Sequence, residues 1–216
     1  MNRIAVIFLL VTSLIGCNKD ESEANKNFFP LAVGNTWRFE SVTDGEVRSF
    51  YQKIVAEKDF AFGDKQTLGY FIEYGVDESK PNSKKAILGK DNSGGVLNVG
   101  IANNSDELIR PSTFFKYPVL PGDSWKYDHL SFSYQDGNTE LKYDGSYEMS
   151  CISIDTEVET PYGVFKCIVY KDHFSPYEDE IWERLAFVAP GYGIVKTENW
   201  QNGILVNWMV LTDIKI

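Results

Sequence analysis

From residue 28 onward, apolar and polar residues alternate in short runs broken by turn-forming residues. Trp37-Arg38-Phe39-Glu40-Ser41-Val42 alternates with a period of two, and Asp44-Gly45 reverses it into Val47 through Val55. Asp-Gly recurs at Asp136-Gly137 and Asp144-Gly145, and between alternating runs it signals a hairpin, because both residues tolerate positive φ. Further strands are expected over Tyr70–Tyr74, Ala86–Leu88, Val96–Val99, Trp125–Tyr134, Tyr147–Ile154, Val164–Tyr170, Ile181–Val188, Ile194–Trp200 and Ile204–Ile214. No window of fifteen residues carries a helical period. The pattern predicts an all-β chain of antiparallel strands, arranged as a sandwich or as a strongly curved, partly closed barrel.

The first residues follow a different rule. Met1-Asn2-Arg3 carries one positive charge, and Ile4 to Val11 is an unbroken apolar run. That run is too short to span a bilayer and fits a removable secretory signal, residues 1–16. Leu14-Ile15-Gly16-Cys17 resembles the bacterial lipobox, which implies cleavage before Cys17 and acylation of that cysteine by chains such as palmitate. Several such chains hold a protein to a membrane firmly, whereas one holds it marginally. Asn18 to Asn27 is polar and acidic and is expected to act as a tether over residues 17–27. Within it, Lys19-Asp20-Glu21 resembles the export signal that carries Bacteroidota lipoproteins to the cell surface, and a solvated charged linker reads the same way. Location at the outer membrane is expected, on either its surface or its periplasmic face.

One segment occurs twice. Phe29-Pro30-Leu31-Ala32-Val33-Gly34-Asn35-Thr36-Trp37-Arg38-Phe39-Glu40 aligns without a gap to Tyr117-Pro118-Val119-Leu120-Pro121-Gly122-Asp123-Ser124-Trp125-Lys126-Tyr127-Asp128, at an offset of 88 residues. Pro and Gly-Asn/Asp make a turn, and the Trp opens a strand with a large face to bury. The mature chain therefore reads as two divergent β units, 28–115 and 116–216, with one joint core or two.

With these motifs in view, the chain resembles a family of β-rich Bacteroidota envelope lipoproteins. They open with Phe-Pro-Leu-x-x-Gly-Asn-x-Trp, here Phe29 to Trp37. They continue with Thr-Pro-x-Gly-x-Phe-x-Cys, here Thr160 to Cys167, and end near Ala-Pro-Gly-x-Gly-x-Val-Lys, here Ala189 to Lys196. The resemblance implies an envelope β protein with no established activity, and brings no catalytic residues to carry over.

Charge and side-chain chemistry narrow the function classes. The formal net charge is −10 and no basic stripe occurs, so nucleic acid is disfavoured as a partner. With Cys17 committed to lipid, Cys151 and Cys167 remain. An exported protein can bridge them, but a turn at Thr160-Pro161-Tyr162-Gly163 sets Cys167 opposite a residue near Thr156, so free buried thiols are an equal alternative. His129 and His173 are the only histidines, and no His or Cys spacing fits a metal. No nucleophile elbow or phosphate loop is present. Glu178-Asp179-Glu180 with Glu183 is the densest acidic group outside the tether, and adjacent strand positions alternate faces and cannot all converge on one substrate. No catalytic residue, metal or cofactor is assigned.

Trp37 and Trp125 read as core anchors. Trp182, Trp200 and Trp208, with Tyr177 and Tyr192, are candidates for stacking on a glycan or an apolar ligand. The expected function is non-enzymatic binding or accessory work in envelope or glycan handling, with membrane contact through the lipid. The alternatives are a small glycan- or lipid-directed hydrolase, and an assembly partner of another envelope protein.

Overall fold

The computed structural model describes residues 28–62, 64–80, 85–102, 106–135, 138–174 and 182–216. Cys17, Lys19, Asp20, Glu21 and Tyr177 lie outside them. Twelve strands follow: β1 (Thr36–Thr43), β2 (Glu46–Phe62), β3 (Lys65–Gly75), β4 (Lys85–Lys90), β5 (Val96–Ala102) and β6 (Asp106–Phe115), then β7 (Ser124–Gln135), β8 (Asn138–Thr160), β9 (Gly163–Phe174), β10 (Trp182–Ala189), β11 (Gly193–Gln201) and β12 (Ile204–Lys215).

Every strand pairs antiparallel with its neighbour in sequence, except across the junction between β6 and β7. The first and last strands pair instead, from Thr36 opposite Lys215 to Thr43 opposite Asn207. Two six-stranded meanders are thereby joined into one sheet, curled into a nearly closed barrel shape. Of the two arrangements left open by the alternating pattern, the barrel is the one adopted. Its seam lies between β6 and β7 and is sealed by side chains. The Trp125 indole Nε1 donates to the Thr113 carbonyl at 2.9 Å, and the Tyr170 hydroxyl donates to the Lys116 carbonyl at 2.8 Å.

The chain enters at what we term the lower end, where β1 and β7 begin and β12 finishes. Phe28, fully buried, stacks on Tyr117 with centroids 4.3 Å apart and meets Tyr170 edge-on. Phe29 lies against Phe115 and Trp37, each at 6.2 Å. These rings form a floor across the lower end. Its neighbours are fitted to it: Gly191 donates its N–H to the Phe28 carbonyl at 3.0 Å, and the Trp37 indole donates to the Tyr192 carbonyl at 2.6 Å. Gly193 sits at φ +86°, and a Cβ there would be 3.1 Å from the Phe29 ring, so both conformation and space favour glycine.

Above the floor a single apolar core runs through both meanders, from Phe39 and Ile54 to Met149, Val188 and Leu211. A smaller cluster, Phe60, Ile87, Val99 and Ala102, occupies the opposite face of the first meander. The two turns leading into β1 and β7 share one geometry. Gly34 and Gly122, at φ +97° and +91°, donate to the carbonyls of Ile54 and Cys151, each at 2.8 Å. Those same residues return their N–H to the Asn35 and Asp123 carbonyls, each at 2.9 Å.

Two elements differ from the sequence expectation. β6 is an edge strand that tolerates Pro111, because Pro111 falls in an irregularity between Leu108 and Ser112 where no ladder pair with β5 is made. β8 runs unbroken from Asn138 to Thr160, through Asp144-Gly145, which forms no hairpin.

Replacing Phe28 by Ala removes a fully buried ring and should lower unfolding free energy by about 3–5 kcal/mol, measured by urea denaturation. Leu120→Ala, at an exposed turn, should leave the midpoint nearly unchanged.

Candidate functional site

Strand alternation sends Phe39 and Trp37 of β1, Leu211 of β12, Ala186 and Val188 of β10 and Tyr170 of β9 into the barrel. Two steps further toward the upper end, the same inward positions turn polar. Asp172 of β9 is opposite Arg184 of β10, Arg184 is opposite Asn199 of β11, and Asn199 is opposite Asn207 of β12. Cross-strand partners share a face, so these four side chains form one continuous row on the inner wall.

The row is built around an ion pair. Arg184 forks onto Asp172, with Nε to Oδ1 at 3.1 Å and Nη2 to Oδ2 at 2.6 Å. The Tyr127 hydroxyl, from β7, donates to Asp172 Oδ2 and accepts from Arg184 Nη2 at 3.1 Å. Asp172 is 2% exposed and the Arg184 side chain 24%. Burial opposes the guanidinium charge, but Asp172 and Tyr127 outweigh it and hold Arg184 above its ordinary value. Burial likewise pushes the Tyr127 phenol up. Beside them Asn199 Nδ2 donates to Asn207 Oδ1 at 2.5 Å.

Aromatic faces surround the row. The Arg184 guanidinium lies over the Phe114 ring at 5.7 Å, Phe114 is 5.4 Å from Tyr127, and Tyr147 follows at 6.4 Å. Phe114 belongs to β6, so the seam closes over this site. Exposure increases along the row: Asp172 is buried, Arg184, Asn199 and Asn207 are partly exposed, and Thr43, opposite Asn207, is exposed. The arrangement can present amide, guanidinium and aromatic surface to a bound molecule. Both Asp172 oxygens are engaged, which makes it a poor general base.

The four described stacking candidates do not converge. Trp182 is on the inward face, two residues from Arg184, and joins the site. Trp200 and Trp208 belong to the other face: Trp200 is opposite Glu183 and donates to Glu198 at 3.2 Å, and Trp208 is opposite Glu198. Tyr192 is at the β10–β11 turn of the lower end, 40% exposed. Tyr177 is outside the described residues, as are Glu178, Asp179 and Glu180. Glu183 is paired with Lys171 at 2.6 Å and His173 at 3.3 Å on the outer face. His129 is outside the described side chains. Trp37 is a buried anchor, and Trp125 is half-buried at the seam.

Of the two alternatives left open for Cys151 and Cys167, the structure has them as buried free thiols. Cys151 is opposite Tyr170 and Cys167 opposite Thr156. Three residues separate them along β9, about 10 Å, well beyond the Cα separation a bridge tolerates. Burial pushes the Cys167 thiol up to about 12.

Outside the barrel, a cleft of about 1030 Å³ lies between the β2–β3 and β4–β5 tips. Lys65, Lys90, Asp64 and Asp91 line it with Phe62 and Leu97. It carries both charge signs, and Asp91 is engaged by the N–H groups of Ser93 and Gly95, each at 2.8 Å.

Sequence reasoning missed Arg184, Asp172 and Tyr127. The available signal was parity: Ile168-x-Tyr170-x-Asp172 and Arg184-x-Ala186-x-Val188 each place a charge at an otherwise apolar, inward position. Asp172→Asn leaves the guanidinium facing a neutral partner and should cost about 3 kcal/mol. Adding Arg184→Met should recover much of that loss, and a double-mutant cycle in urea measures both.

Two solved structures share this fold. One is a candidate exported protein with a YmcC-like fold from Bacteroides fragilis, 19% identical, with a TM-score of 0.53 over 88% of this chain and 100% of that one. The other is a candidate lipoprotein from Parabacteroides distasonis, 14% identical, with a TM-score of 0.52 over 88% and 99%. No protein-family model and no curated protein matches the sequence. At these identities the likeness is one of fold: this chain has the architecture seen in a candidate exported protein and a candidate lipoprotein of Bacteroidales.

Proposed function

We propose that the mature chain is a lipid-anchored protein of the outer membrane that binds a glycan without converting it. The ligand sits in the upper interior of the barrel. The observation that carries this reading is the inward row Asp172, Arg184, Asn199 and Asn207 set among Phe114, Tyr127, Tyr147 and Trp182. Sugars offer hydroxyls to amides and guanidinium and apolar faces to rings, and a site of convergent polar groups among aromatics suits both. The anchoring part rests on the Leu14 to Cys17 motif, and the fold shared with a candidate lipoprotein agrees with it. A hydrolase is the weaker reading, because the carboxylate of the row is already held by Arg184 and Tyr127.

Titration of the mature protein with neutral and uronate-containing oligosaccharides, followed by calorimetry, tests the ligand class. Trp182→Ala should weaken binding about tenfold, equivalent to about 1.4 kcal/mol, and Trp208→Ala should not. Loss of binding on Trp208→Ala alone would move the site to the outer face, and no binding to any oligosaccharide would sink the glycan reading.

Protease shaving of intact cells addresses location, with outer-membrane integrity controlled. Rapid loss in wild type, and protection when Lys19, Asp20 and Glu21 are changed to Ala, is the result for surface display. Protection in both strains places the protein on the periplasmic face.

A further inference from the structure

The barrel's lower end carries an apolar surface that the glycan reading does not use. Val33, Leu120, Tyr162, Val164, Tyr192 and Ile216 are between 40% and 66% exposed. Five of them sit at or beside four turns, and Ile216 ends the chain. The turns are at Ala32-Val33-Gly34, Leu120-Pro121-Gly122, Pro161-Tyr162-Gly163 and Pro190-Gly191-Tyr192; the second is closed by Asp123, whose charge is paired with Lys116 at 3.0 Å.

All of these turns radiate from the aromatic floor. Val33 and Leu120 follow Phe29 and Tyr117 within a few residues. Tyr192 packs edge-on against Phe165 at 5.1 Å, and Tyr162 stacks on the same ring at 6.3 Å. Ile216 follows Lys215, which is opposite Thr36 at the start of β1. The apolar tips therefore share one sector of one end. The remaining tips at that end, β2–β3 and β4–β5, carry Asp64, Lys65 and Asp91, so the surface is one-sided.

We propose that this sector is a membrane-docking face, which seats the barrel on the lipid surface and turns its upper interior away from it. The position of the chain's exit supports a lipid surface as the occupant. Phe28 enters at the centre of the sector, and ten residues separate it from Cys17. Fully extended, that segment reaches at most about 40 Å, so the acyl chains hold this end near the bilayer. Turns bearing Tyr, Val and Leu, with Asp123 held by Lys116, suit the headgroup boundary, where aromatic rings collect and apolar side chains gain burial. At the upper end, Val47 and Val76 are exposed beside Glu46, Arg48 and Asp77, and those charges oppose insertion; Ile204 and Leu205, at the β11–β12 turn, form a smaller exposed apolar pair there.

The inference rests on lipidation at Cys17, so its test separates the two claims. Mature lipidated protein is reconstituted in vesicles of phosphatidylethanolamine and phosphatidylglycerol. A nitroxide is attached in turn to Val33→Cys, Leu120→Cys and Tyr162→Cys, with Ile204→Cys, equally apolar and at the upper end, as control. The parent without an added cysteine sets the background from buried Cys151 and Cys167. Relaxation by oxygen should exceed relaxation by a nickel chelate severalfold at the three lower positions, and nickel should dominate at Ile204→Cys. Adding Leu120→Asp and Tyr162→Asp should restore nickel access at Val33→Cys with the thermal midpoint unchanged. Nickel-dominated relaxation at every position, in protein that still floats with the vesicles, overturns the docking face and leaves the anchor intact. Protein that fails to float overturns the anchor, and the docking face with it.

Discussion

Phe28 and Tyr117 stack at the point where the chain enters the barrel, and much of the structure is arranged around that contact. A sheet of twelve strands that curls toward closure encloses more space than its own backbone fills. The first described residues, Phe28 and Phe29, supply the missing volume at one end. Tyr117 lies in the segment that links the two meanders, so the same stack fixes the seam between β6 and β7. Tyr170, edge-on to Phe28, reaches across to the Lys116 carbonyl. One aromatic assembly thus plugs the lower end and ties the two edges of the sheet together.

Filling one end sets the character of the other. Below, the inward positions are apolar and tightly packed. Above, they become Asp172, Arg184, Asn199 and Asn207. A buried ion pair is weak evidence for stability, since desolvation offsets most of the attraction. Hydrophobic residues at positions 172 and 184 would serve the core at least as well. The fork of Arg184 onto Asp172, held by Tyr127 and bordered by Phe114, fits the proposed role of presenting polar and aromatic surface to a ligand. Its single charges cancel, which agrees with a ligand chosen by hydrogen bonding and ring faces more than by net charge.

The two ends then divide the work by chemistry. Turns with exposed apolar side chains surround the floor at which Phe28 enters, and the polar row faces the interior nearer the other end. Under the proposed anchoring at Cys17, the barrel gains orientation if it meets the membrane itself. The floor, the docking sector and the entry of the chain coincide because all three are built from the turns that open β1 and β7.

Much of this was legible in the residues alone. Alternation identified most strands, since side-chain parity is local and is written directly in the sequence, and of the Asp-Gly pairs Asp44-Gly45 turns a described hairpin whereas Asp144-Gly145 lies inside β8. The matched segments at Phe29 and Tyr117 carried the turn chemistry that returns as equal hydrogen bonds at Gly34 and Gly122. The register that sets Cys167 opposite Thr156 followed from the Thr160 to Gly163 turn, and with it the separation of the two thiols. What the sequence could not decide depends on curvature and on distant contacts. Whether the sheet stacks or curls is set by the pairing of β1 with β12, more than 160 residues apart. β6 was missed because a proline within a run argues against a strand, and the irregularity in pairing with β5 that accommodates Pro111 is a tertiary property. The tryptophans looked alike in sequence, yet Trp182 faces inward and Trp200 outward, because which parity points to the core is fixed only when the barrel closes. Arg184, Asp172 and Tyr127 meet for the same reason: no short-range rule brings β7, β9 and β10 to one point, and the fold does.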